Sequence, residues 1–169
     1  IVCLETINMI IEKYKTIFIH IPKNAGTAIE KFFHEDNRKH VTGSQLAAKH
    51  DTIDMVKQKF PEEYDSYTKF AIIRNPYDRM VSWYFYINQL CESRPMGKYR
   101  FDFSTWVRNP MKHFFDNKRL LKPQNEWIDN TVKIVKYENL NEELSSLFEK
   151  EINLPIINKS NHSHYLNYY

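Results

Sequence analysis

The sequence predicts an α/β fold: a single domain over residues 1–169 whose mainly parallel β-sheet is flanked by helices. Two observations predict it. Apolar, β-branched runs alternate with segments of helical pattern, and the length of 169 residues suits one domain and hardly two. No internal repeat, low-complexity tract or Ser/Gly linker divides the chain.

Lys15 to Ile21 (Lys-Thr-Ile-Phe-Ile-His-Ile) is a compact apolar run ending at Pro22, the pattern of a strand buried on both faces. A short polar turn with Gly26 follows. Thr27 to Phe33 then reads as a helix with Ile29, Phe32 and Phe33 on one side. Asp51 to Phe60 is helical in pattern, and Pro61 is expected to stop it. Lys69 to Ile73 is the second strand. It runs into Arg74-Asn75-Pro76, where Asn75 can cap a helix and Pro76 can take its first position. That helix is expected from Tyr77 to about Leu90. Cys91 to Arg100 is a polar loop, and Phe103 to Val107 is one or two helical turns. Thr131 to Tyr137 is a third strand, and Asn141 to Lys150 an amphipathic helix carrying Leu144, Leu147 and Phe148. The tail from Ile156 to Tyr169 shows no clear period.

Composition excludes several classes. Hydrophobic residues at 42% and charged residues at 27% are the balance of a globular chain that can bury a core without staples. Only 3 glycines argue against a glycine-rich multi-phosphate cradle. A net charge of +3 is too small to indicate a nucleic-acid partner. Cys3 and Cys91 form no metal-binding cluster, so no metal is expected. No apolar run reaches the ~18 residues of a membrane span. Ile1 to Ile11, broken by Glu5 and Asn8, is a poor signal peptide. The expected compartment is the cytoplasm, or the Golgi lumen if an upstream anchor preceded Ile1 and was removed. Membrane association is expected only in that second case.

Two strand–loop–helix corners carry the chemistry. In His20-Ile-Pro-Lys-Asn-Ala-Gly-Thr27, the loop aims backbone N–H groups and a positive helix end at one point, where Lys23 adds a cation and Thr27 a hydroxyl. This suits a phosphate-like group, although a plain strand-to-helix turn with an exposed lysine has the same residues. It is not a Walker loop, because it lacks the GxxxxGK[ST] spacing and its lysine precedes the glycine. In the second corner, Arg74 to Ser82, a fork-shaped guanidinium and a hydroxyl flank a helix start, which makes a second anion site. The structural alternative is an Arg74–Asp78 ion pair with Ser82 as a packing residue. Arg79 reads as structural. Two anion corners imply a ligand with two separate phosphate-type groups.

At these corners the chain resembles a known family. Ile19 to Thr27 resembles the 5′-phosphosulfate loop of sulfotransferases that use 3′-phosphoadenosine 5′-phosphosulfate (PAPS), and Phe70 to Ser82 resembles their 3′-phosphate site. The most similar branch holds the carbohydrate sulfotransferases of the Golgi type and their bacterial relatives, including the uronosyl 2-O-sulfotransferases. The likeness continues through Pro123-Gln124, Val135 to Leu140, and Asn158-Lys159-Ser160 with Tyr165, Tyr168 and Tyr169. In most relatives a further helix follows the position of Tyr168-Tyr169, so a compact version of the P-loop-like nucleotide core is expected.

The resemblance implies PAPS as donor, 3′-phosphoadenosine 5′-phosphate as product, no metal, and a hydroxyl-bearing acceptor such as a glycan. It implies that Lys23 stabilises the departing 5′-phosphate, with Asn24, Ala25, Gly26 and Thr27 holding the phosphosulfate. Arg74 and Ser82 would bind the 3′-phosphate, and Lys159 with Ser160 would close over the nucleotide. It also places a catalytic histidine near His50, and imidazole, with an unperturbed pKa of ~6.5, suits a general base. Glu30, Glu35 or Asp36 are the carboxylate alternatives. His20 reads as a packed, hydrogen-bonded residue, while His34 and His40 are open candidates for the acceptor cleft. Trp83, Trp106 and Trp127 suit core packing better than sugar stacking. Arg94, Lys98, Arg100, Lys118, Arg119 and Lys122 suit solvated loops or the attraction of an anionic glycan. Two other functions fit parts of the pattern: a P-loop-type nucleoside kinase, which would need the missing Walker lysine, and a nucleotide-binding module without turnover.

Overall fold

The four residues Thr16–Ile19 are buried on both faces, which is why an uninterrupted Ile-Phe-Ile run forms a central strand here. In the computed structural model, which describes residues 10–37, 50–92, 102–108, 121–155 and 163–169, four strands form one sheet. They are β1 (Ile10–Ile11), β2 (Thr16–Ile19), β3 (Thr68–Ile73) and β4 (Lys133–Lys136), in spatial order β1-β2-β3-β4. β1 pairs antiparallel with β2, whereas β2–β3 and β3–β4 are parallel, with Phe18 opposite Phe70 and Ala71 opposite Ile134. The helices are α1 (Gly26–Asn37), α2 (Ile53–Lys59), α3 (Pro61–Ser66), α4 (Pro76–Glu92), α5 (Phe103–Arg108) and α6 (Leu140–Phe148). The chain is thus α/β with a mainly parallel sheet.

Two local differences from the sequence reading have physical causes. β1 is only two residues long and pairs through its backbone, so it leaves no hydrophobic period to read. Pro61 does not simply end a helix. It occupies the first turn of α3, where its missing N–H costs nothing, so the break between α2 and α3 is a single residue, Phe60.

The described residues cluster into two compact units, Ile1–Ile73 with Lys122–Ile157, and Arg74–Leu121 with Asn158–Tyr169. The first holds the sheet. Its core gathers Phe18, Phe70, Ile72 and Val135 from the strands, Ile29 and Phe33 from α1, and Leu144 from α6. The second is built on α4 and α5, with Val81, Trp83, Ile87, Phe103 and Trp106 buried together. Tyr165 and Tyr168 pack against that cluster and tie the tail to it. Among the described residues, no helix is long and apolar enough to cross a membrane.

Candidate functional site

Where β2 ends, the chain turns through Pro22–Ala25 and enters α1 at Gly26. The turn is made by two non-glycine residues in the left-handed region, Lys23 at φ 70° and Ala25 at φ 61°. Each such residue costs ~1–2 kcal/mol and persists only where surrounding contacts dictate the conformation. Asn24 between them supplies those contacts. It is 0% exposed, and its Nδ2 donates to the Ile72 carbonyl at 2.7 Å and to Gln124 Oε1 at 2.6 Å. The loop is thereby fastened to the carboxyl end of β3.

The carbonyl of Ala25 accepts from the backbone N–H of Ala28 at 2.9 Å and of Ile29 at 3.2 Å, which closes the first turn of α1. The N–H groups of Gly26 and Thr27 come earlier in the helix than any possible intrahelical partner, so they are the donors this helix end presents. Thr27 is partly buried beside them. Gly26 has an ordinary φ. What requires glycine is His20: an added Cβ would lie 1.7 Å from its Nε2.

His20 is buried, stacks on Phe18 and has its Nδ1 2.8 Å from Glu30 Oε1 of α1. Glu30, an alternative candidate base from the sequence, is therefore engaged with a histidine inside the fold. His50 lies directly beside this pair, its ring centroid 4.4 Å from that of His20. Its Nδ1 is 3.1 Å from the His20 carbonyl oxygen. A carbonyl can only accept, so His50 Nδ1 is the donor; in the neutral ring Nε2 then carries the lone pair. The buried Trp127 edge-packs against His50 at 6.5 Å. The next residue, Asp51, is buried and accepts from Lys59 Nζ of α2 at 2.6 Å. Lys23, Asn24, Ala25, Gly26, Thr27 and His50 thus all belong to the sheet-bearing unit.

Arg74 and Ser82 belong to the other unit. Asn75 caps α4 as its sequence implied, its Oδ1 accepting from Tyr77 N–H at 2.9 Å and Asp78 N–H at 3.4 Å. Its Nδ2 donates to the Tyr165 hydroxyl at 3.2 Å. Arg74 Nε pairs with Asp78 Oδ2 at 2.6 Å, which orients the guanidinium at the start of α4. Asp78 and Ser82 stand four residues apart and share a helix face, and Ser82 is buried. Arg79 is buried as well, and desolvation pulls its pKa down to about 10, so it remains charged at neutral pH. Trp83, Trp106 and Trp127 are all buried, which assigns them to packing.

Lys159, Ser160 and His40 lie outside the described residues, as do the side chains of His34, Glu35 and Asp36. Gln124 and Asp51 acquire defined partners that the sequence reading did not foresee. Gln124 had a signal in the quoted Pro123-Gln124 pair; nothing in the pattern around Asp51 marked it as buried.

The model of the family described as "Sulfotransferase family" matches residues 8–154, most of the chain. The chain belongs to the sulfotransferase family. No curated protein and no solved structure matches it. Membership in the sulfotransferase family brings with it transfer of a sulfuryl group to a hydroxyl-bearing acceptor, with PAPS as the family's general donor.

Proposed function

We propose that this sulfotransferase moves the sulfuryl group of PAPS to a hydroxyl of a carbohydrate. The observation that carries the reading is the composition of one strand end. A lysine and a helix start with N–H donors follow β2 directly, and the Nδ1 of His50 reaches the His20 carbonyl just before them, which leaves the Nε2 lone pair of the neutral ring as acceptor. These are the cation, the anion-binding amides and the base that sulfuryl transfer needs.

The donor set fits a phosphosulfate. Gly26 and Thr27 N–H groups and the α1 dipole favour an anion, and the Thr27 hydroxyl is a further donor. PAPS supplies the sulfuryl group and a 5′-phosphate leaving group. His50 Nε2 takes the proton of the acceptor hydroxyl as its oxygen bonds to sulfur. Lys23 offsets the negative charge that gathers on the departing phosphate oxygen when the sulfur–oxygen bridge breaks. Arg74 and Ser82 are the residues proposed for the 3′-phosphate, the group that sets this donor apart from ordinary adenine nucleotides. A uronic acid or related sugar as acceptor rests on the sequence likeness to the carbohydrate branch.

Calorimetric titration with 3′-phosphoadenosine 5′-phosphate, ATP and AMP tests the donor. The bisphosphate is expected to bind tightest, and Arg74→Ala to erase most of its advantage. Equal affinity for all three nucleotides would overturn the reading, and a preference for ATP would favour the kinase class. Lys23→Ala is expected to lower turnover by roughly 100- to 1,000-fold with the fold intact, the scale of losing one transition-state charge partner.

A further inference from the structure

Several contacts converge on the His20 ring and its carbonyl. The ring stacks on Phe18 at 5.5 Å, its Nδ1 meets Glu30 at 2.8 Å, and its Nε2 edge rests against the bare α-carbon face of Gly26. On the remaining side the His50 ring tilts against it at 60°, while the His20 carbonyl holds His50 Nδ1 at 3.1 Å. Glu30 and Gly26 both belong to α1, so His20 links the loop-and-helix element to His50.

We propose that His20 is a positioning residue for His50. Its carbonyl selects the Nδ1–H form of the His50 imidazole and its ring fixes the plane of that imidazole, while Glu30 and Gly26 keep the His20 ring from turning. The proposal rests on the reading of His50 as the base. The logic is that of an outer-shell partner: a neutral imidazole interconverts between two tautomers, and only the Nδ1–H form presents Nε2 as acceptor. A ring free to rotate would lose both the tautomer and the line of attack, and a misplacement of about 1 Å costs on the order of 100-fold in rate.

The test uses ¹⁵N-labelled full chain at about pH 8, where a histidine with an ordinary pKa is neutral, and reads the two ring nitrogens of His50 by long-range ¹H–¹⁵N correlation. In the unmodified protein the Nδ1–H form is expected to dominate. His20→Ala keeps the backbone carbonyl but removes the ring that holds the His50 imidazole in line with it, and is expected to lower the Nδ1–H share toward the Nε2–H form common to free imidazoles. His20→Asn keeps a side-chain N–H for Glu30 but offers no ring to His50. It is expected to recover the melting temperature lost in His20→Ala without recovering the tautomer. If His20→Asn restores both, or if His20→Ala leaves the His50 nitrogens unchanged, the residue is merely structural and the proposal fails. Sulfate transfer from PAPS to a uronoside probe adds a second readout: His20→Ala should lower kcat about 10- to 100-fold with little change in donor KM. In a His50→Ala background the same change should cost nothing further. Full turnover in His50→Ala would instead remove the base assignment while leaving the nitrogen spectra to judge His20.

Discussion

A methyl group on residue 26 would sit 1.7 Å from His20 Nε2 and 2.2 Å from two of its ring carbons. The ring cannot retreat cheaply, because Phe18 backs it and Glu30 holds its other nitrogen. Gly26→Ala is therefore expected to lower stability by roughly 1–3 kcal/mol, the scale of overpacking in a filled interior. In urea unfolding, adding His20→Ala to Gly26→Ala should return a good part of that loss. An unchanged midpoint in Gly26→Ala alone would sink this account. One residue earlier the argument reverses. Ala25 holds φ at 61°, so Ala25→Gly removes a steric penalty of ~1–2 kcal/mol against an unfolded-state entropy gain of ~0.5–1. The substitution is expected to be neutral or stabilising by up to ~1 kcal/mol, and a clear loss of stability would show that no strain is stored there. The need for a glycine was legible from the motif. Its reason was not, because the contact is between the loop and a strand residue whose side-chain direction is set by the fold.

At the scale of elements, the loop stays in its left-handed path because Asn24 ties it to β3 and to the short 3₁₀ turn Gln124–Trp127. Asn24→Ala leaves the Ile72 carbonyl and Gln124 without their buried donor, which costs about 1–3 kcal/mol. Asn24→Asp is expected to cost more, since it sets a carboxylate oxygen where an N–H faced a carbonyl at 2.7 Å. Chemical denaturation of both variants orders them, and an Asp variant as stable as the Ala variant would contradict the hydrogen-bond assignment. The strand before this loop and the helix after it were readable from apolar runs and periodicity. The inward turn of Asn24 was not: in sequence the residue looks like any polar loop residue, and only the arrival of β3 and Gln124, 48 and 100 positions away, gives it partners. His50 shows the same limit. Its residue type suggested a base, but the tautomer depends on a carbonyl 30 positions upstream.

For the whole molecule, the fold class was legible because alternating strand and helix signals survive without any tertiary information. The division into two units was not, since the chain passes between them after Ile73, Leu121 and Ile157 with no linker or composition shift to mark the crossings. Each unit nevertheless carries an acid-sensitive carboxylate. Burial alone would raise the pKa of Asp129, but Thr131 through its hydroxyl and N–H, the Tyr64 hydroxyl and the charge of Lys69 outweigh it and hold the group below the usual range. Asp102 is held lower still by the Ser104 hydroxyl and by the N–H and hydroxyl of Thr105 at the start of α5. An unfolded aspartate titrates near ~3.9. Between that pH and the lower folded values the unfolded chain binds more protons than the native one, so stability rises with pH through this window. Above about pH 5 the contribution of both groups is fully present, and it is lost as acid takes the pH down through the folded pKa values. Asp129→Asn should accordingly be less stable than the unmodified chain at pH 7 yet lose less on acidification. Adding Asp102→Asn should flatten the acid limb further, because the two sites share no partner and their effects should add. Urea midpoints at pH 7 and pH 3 measure this directly, and an acid limb as steep in the double variant as in the unmodified chain would place the acid sensitivity elsewhere.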